Sequence, residues 1–152
     1  MKDLQLNTGM IEIAIQGDKN RVLKFNPEDV EFQNALLAML DHASEKMKEF
    51  EQSAKAYDLK FREMDPIEAM KEKIKIQRDI DVFIKSEIDG VFGKGTASMI
   101  FKEASPSAKS SSGQYIFMNF FEALLPIIQP EIKKRNQGIQ KIIADHKRKA
   151  KK

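Results

Sequence analysis

Apolar residues between Asn26 and Asp65 recur in steps of three and four: Phe32, Leu36, Met39, Ala43, Met47, Phe50, Ala54, Tyr57, Phe61 and Met64. That spacing keeps one helix face apolar, and its near-seven repeat is that of a coiled-coil seam. Asn26 is placed to cap the start, with Pro27 in the first turn, where its missing N–H is not needed. Asp65-Pro66 stops the pattern. A helix of this span is roughly 57 Å long at 1.5 Å per residue. Its first half, with Phe32, Leu36, Leu37, Met39 and Leu40, is apolar over a wide arc and belongs in a core. From Ser44 the stripe narrows to one line between charged residues, which predicts a projecting arm packed on a single helix.

Asp65-Pro66-Ile67-Glu68 repeats the start signal, with Asp65 as cap and Glu68 able to reach back. The second helix carries Ile67, Met70, Ile74, Ile80, Phe83, Ile84 and Ile88 and is expected to end before Gly90. So short a connection favours an antiparallel helical hairpin within one chain. The rival is a seam that faces another subunit.

Ahead of the first helix, Ile11, Ile13 and Ile15 alternate with Glu12, Ala14 and Gln16, and Leu23 and Phe25 share a face. Residues 10–25 therefore read as a β-hairpin turning at Gly17-Asp18-Lys19-Asn20. Two strands alone are marginal in water, so the hairpin must cover the helical core or lend its free edge to a partner or second copy.

After the second helix, Gly90, Gly93 and Gly95 surround Lys94 and Thr96. A phosphate loop needs Gly-Lys-Ser/Thr after a strand. Here Gly95 separates Lys94 from Thr96 and a helix precedes them, so the stretch reads as a helix end with positive-φ glycines and a Thr96 cap. A short helix is expected over 97–103, then a polar, mobile loop over 104–113. Gln114 to Ile128 is apolar almost all round, as a buried helix would be, and Pro126 and Pro130 should kink or break it. The rival is an exposed aromatic face that docks a partner. Helical spacing resumes from Glu131 and ends in Lys147-Arg148-Lys149-Ala150-Lys151-Lys152.

The expected fold is mainly α with a small N-terminal β-hairpin (α+β), a long helical hairpin arm and a compact helical core. At 152 residues, 41% hydrophobic, the chain suits one domain. It divides into the hairpin at 10–25, the helical hairpin at 26–89, the glycine turn to apolar helix at 90–130 and the basic end at 131–152.

Charge and chemistry narrow the function classes. The end from Glu131 holds nine basic against two acidic residues, a charge of +7, which leaves −4 of the +3 total on residues 1–130. The basicity is that of a tail, not of a domain. The sequence has no cysteine, so thiolate chemistry is excluded. The first residues lack the apolar run of a signal peptide, and no stretch suits a bilayer. The expectation is therefore a soluble cytoplasmic protein that does not engage membranes. His42 and His146 are far apart and read as surface residues without metal-ligand spacing. No nucleophile elbow or dinucleotide fingerprint appears. The reading is non-enzymatic, with no cofactor and no metal.

Two segments, Ile88-Asp89-Gly90-Val91-Phe92-Gly93-Lys94-Gly95-Thr96 and Asn119-Phe120-Phe121-Glu122-Ala123-Leu124-Leu125-Pro126-Ile127-Ile128, resemble parts of small phage and prophage proteins of Gram-positive bacteria. The strand pair followed by a long charged helix is similar as well. Within the tail module of siphophages, the likeness is nearest to tail assembly chaperones. It implies a helical, oligomeric protein that coats the tape-measure protein until tail-tube subunits replace it. For such a role the expected client groove lies between the aromatic helix and the Gly90–Phe101 region, using Phe92, Met99, Phe101, Phe117, Phe120, Phe121 and Leu124. Two other readings stay open. One is nucleic-acid association through Lys147, Arg148, Lys149, Lys151 and Lys152. The other is an inhibitor that binds a host protein.

Overall fold

The computed structural model describes residues 1–150, with side chains throughout 1–131 and at Lys134, Gln137, Ala144, Asp145 and Arg148 beyond. The fold is mainly helical with an N-terminal two-stranded hairpin. Strands β1 (Ile11–Ile15) and β2 (Asp18–Phe25) pair antiparallel, followed by helices α1 (Val30–Glu63), α2 (Pro66–Phe92), α3 (Thr96–Ile100) and α4 (Ile116–Ala150).

The hairpin turns at Gln16-Gly17 and not at 17–20. Both residues have positive φ (54° and 72°), the requirement of a tight two-residue turn that follows the strand twist. Register slips between Ala14, opposite Val22, and Ile15, opposite Asp18, so Lys19 to Arg21 bulge out of the ladder. Leu23 and Phe25 enter the core as expected.

The first long helix begins three residues later than expected. Asn26 closes a turn instead of capping: its Oδ1 accepts the Glu28 N–H at 3.0 Å and its Nδ2 donates to the Thr8 carbonyl at 2.9 Å. Pro27 is buried, and Asp29 is the cap, accepting from the Glu31 N–H at 2.9 Å. Asp65 does cap α2, accepting from the Ile67 and Glu68 N–H groups. Glu68 turns to Lys71 at 3.3 Å.

Helices α1 and α2 form an antiparallel hairpin within the chain. His42 lies 2.9 Å from Glu87, Lys46 sits over the Phe83 ring, and Lys73 over Phe61, as opposed chain directions require. Leu36, Met39 and Ala43 are buried with Ile80, Ile84 and Ile88, and beyond Ala43 the seam of α1 is only half-buried. The expected α2 stripe divides. Ala69 and Ile76 turn inward near the arm tip, while Ile67, Met70 and Ile74 face outward.

Helix α2 runs through Gly90 and ends at Phe92, with Gly93 (φ 111°) as cap. The following turn is closed by Asp89. Its carboxylate accepts the Gly95 N–H at 3.2 Å and the Ala97 N–H at 2.8 Å, so Thr96 does not cap α3. Those occupied donors are the ones an anion would need. Helix α3 stops at Ile100, three residues short of the expected end, where Arg21 takes its last carbonyls.

The 104–113 segment, expected to be mobile, is pinned. Pro106 and Ser107 are buried, the Ser107 N–H donates to Asp81 Oδ1 at 2.8 Å, and the Phe117 N–H donates to the Pro106 carbonyl. Helix α4 passes through Pro126 and Pro130 to Ala150 without a break. Each proline removes a bond to the carbonyl four residues earlier, at Glu122 and Pro126. Residues 122, 126 and 130 share one exposed face, the side of the helix on which an unpaired carbonyl costs least.

Candidate functional site

The aromatic residues that the sequence offers for a partner are largely the core itself. Phe117 is 0% exposed, and Phe101, Phe121 and Leu124 are buried with it. Phe92, Met99 and Phe120 are half-buried and pack against the same cluster. Phe92 lies 5.7 Å from Phe25, 5.6 Å from Phe32 and 6.3 Å from Phe120, and Phe120 lies 6.0 Å from Phe101. These rings join the hairpin, α1, α2, α4 and the end of α3 in one aromatic chain. Of the space expected between the aromatic helix and the Gly90–Phe101 region, the part around Phe92 and Phe117 is filled by the chain's own rings, while Phe101, Phe120 and Leu124 also line an open groove. The segment is apolar because the hairpin and helices enclose it.

Three other surfaces stay open. A groove of about 470 Å³ runs between β1 and α4, walled by Ile13, Ile15, Phe101, Phe120, Leu124 and Ile127, with Glu103 and Gln16 at one end. A cleft of about 590 Å³ separates the arm from the 107–115 segment, among Phe50, Tyr57, Phe61, Ile76 and Tyr115. Burial, helped by the charge of Glu51, pushes the Tyr115 phenol upward. The third surface is the outer face of α2. There Ile67, Met70 and Ile74 are 66%, 63% and 42% exposed, spaced i, i+3, i+7 along one stripe.

The polar device behind the groove is Arg21. Its Nε and Nη2 donate to the Met99 carbonyl at 3.0 and 2.8 Å, Nη2 also reaches the Ile100 carbonyl at 3.1 Å, and the guanidinium pairs with the Glu103 carboxylate. The Arg21 hydrogen bond holds the Glu103 carboxyl below the usual carboxylate range. Sequence reasoning passed over Arg21, although it shares strand parity with Leu23 and Phe25, which places it on the inward face. It also passed over Asp89 and Asp81, which bond backbone far away in sequence.

His42, expected at the surface, is exposed, and its partner Glu87 raises its pKa. Among the described residues no group of three or more His, Cys, Asp or Glu is placed to hold a metal. No described helix is long and apolar enough to cross a membrane. Of the basic candidates, Arg148 bonds Asp145 at 2.7 Å. The side chains of Lys147 and Lys149, and all of Lys151 and Lys152, lie outside the described residues, as does the His146 side chain.

No protein-family model, no curated protein and no solved structure matches the chain.

Proposed function

We propose that this chain is a non-enzymatic assembly protein that holds an apolar client helix along the outer face of α2, in the host cytoplasm. This is the role of a tail assembly chaperone toward the tape-measure protein. The carrying observation is the Ile67–Met70–Ile74 stripe, which the α1–α2 seam leaves uncovered. A helix docks on such a face through anchors at i, i+3 and i+7. Over residues 66–78 α2 carries Lys71, Lys75 and Arg78 besides Lys73, which lies over Phe61 of α1, against Glu68 and Glu72, a basic surplus that suits a client helix with acidic flanks. Met70, the flexible one of the three anchors, adapts to varied client side chains.

Co-expression with a siphophage tape-measure protein tests the reading. The client should aggregate alone and stay in solution with the wild-type chain. The Ile67→Glu/Met70→Glu variant should lose that effect with unchanged helical circular dichroism. A client equally soluble with the variant, or soluble without any chaperone, overturns the reading.

A further inference from the structure

The outer edge of β1 has no ladder partner: among the described residues its only paired neighbour is β2. That edge forms one wall of the 470 Å³ groove, with Ile13 to Gln16 facing α4 across it. An open strand edge beside an apolar groove suits an added strand better than a helix. Backbone groups of the edge take the hydrogen bonds, and alternate side chains fill the groove.

The chain carries a segment with the matching pattern. Residues 1–10 form no regular structure and leave Leu4 81% and Leu6 72% exposed. At strand period, Lys2, Leu4 and Leu6 share one face, and Asp3, Gln5 and Asn7 the other. The apolar face carries one cation at its end, and the groove has one charged lining residue, Glu103. Glu103 sits at the Gln16 end of β1, because it pairs with Arg21, which lies in the bulge opposite Ala14 and Ile15. A strand that sets Lys2 against Glu103 and its leucines in the groove therefore runs antiparallel to β1.

The segment does not serve its own groove in this structure. The Asn26 amide holds the Thr8 carbonyl just beyond the last ladder pair, Ile11 with Phe25, and no residue of 1–10 lines the groove. From this geometry we infer that residues Lys2–Leu6 of a second copy enter the groove between β1 and α4 as a third, antiparallel strand. Each copy is both donor and acceptor, so reciprocal exchange closes a dimer. The contact leaves the outer face of α2 untouched and stands apart from the client reading.

Light scattering of the full chain at rising concentration tests the exchange. The wild type should reach twice the 17.4 kDa chain mass. Leu4→Asp/Leu6→Asp should remain monomeric, as should Ala123→Arg, which puts a long side chain at an exposed groove position on α4. Circular dichroism should be unchanged in both. Mixing the two variants should restore a weaker dimer, because one donor and one groove are intact. Three results overturn the inference: a monomeric wild type at every concentration, a dimer that survives in the leucine variant, and no recovery on mixing. Amide protection of residues 3–6 in a monomer would identify fold-back onto the same chain instead.

Discussion

The carboxylate of Asp89, in the last turn of α2, accepts the backbone N–H of Ala97 at 2.8 Å, inside the first turn of α3. One side chain thus closes the glycine turn and sets the angle at which α3 meets the core. Gly93 and Gly95 supply the positive φ values (111° and 87°) that let the chain reverse there.

Replacing Asp89 by Ala should lower unfolding stability by about 1–2 kcal/mol, the range for losing a helix cap. Asn should recover part of this, since its amide oxygen still accepts one N–H. Urea denaturation checks both. An effect of the same size in both variants would place the contribution in the charge of Asp89 and not in its hydrogen bonds.

Phe117 is sealed between the hairpin-covered core and the 106–108 backbone. Phe117→Ala should cost about 3–5 kcal/mol, as large core truncations do. Phe120→Ala should cost less, because Phe120 is half-buried on the groove side. The double change Phe120→Ala/Phe121→Glu should unfold the chain, since it places a carboxylate at a buried position. Thermal melts by circular dichroism separate these outcomes. A folded double variant would reopen an aromatic docking face.

The helices were legible because period and punctuation agree: Asp65-Pro66 marks the arm tip, and Leu36, Met39 and Ala43 follow one seam. Boundaries failed where a side chain answered a distant partner. Asn26 looks like a helix cap locally, yet it bonds Thr8 and Glu28. Apolar density at Phe117–Leu124 is the same in a core helix and in a docking helix, and only the enclosing rings of Phe92 and Phe101 decide between them. The outward turn of Ile67, Met70 and Ile74 was hidden for the same reason: the α2 pattern offers two apolar lines, and the hairpin crossing selects one.

Arg21 joins β2 to the end of α3 through two carbonyls and Glu103. Arg21→Met keeps much of the volume and leaves those carbonyls without donors. The expected loss is about 1–3 kcal/mol, the penalty for unsatisfied buried acceptors. Hydrogen exchange should show faster opening of α3 and the hairpin than of the arm. Uniform acceleration across the chain would mean that Arg21 supports the whole core.

His42 supplies the pH dependence. Its hydrogen bond to Glu87, then the Glu87 charge, raise its pKa above the usual 6.5; burial lowers it slightly, and Glu45 and Asp41 add smaller upward pulls. A histidine raised on folding stabilises the protonated native state. The contribution is full below the unfolded pKa and is lost as pH rises through the folded one. The imidazole titration of His42, followed by NMR in a His146→Gln background, should therefore have its midpoint above 6.5. Glu87→Gln should move that midpoint down and flatten the stability profile between neutral and mildly alkaline pH. Because the pair is exposed, the change in stability should be small and should shrink with added salt. A midpoint unaffected by Glu87→Gln would show that the 2.9 Å contact does not persist in solution.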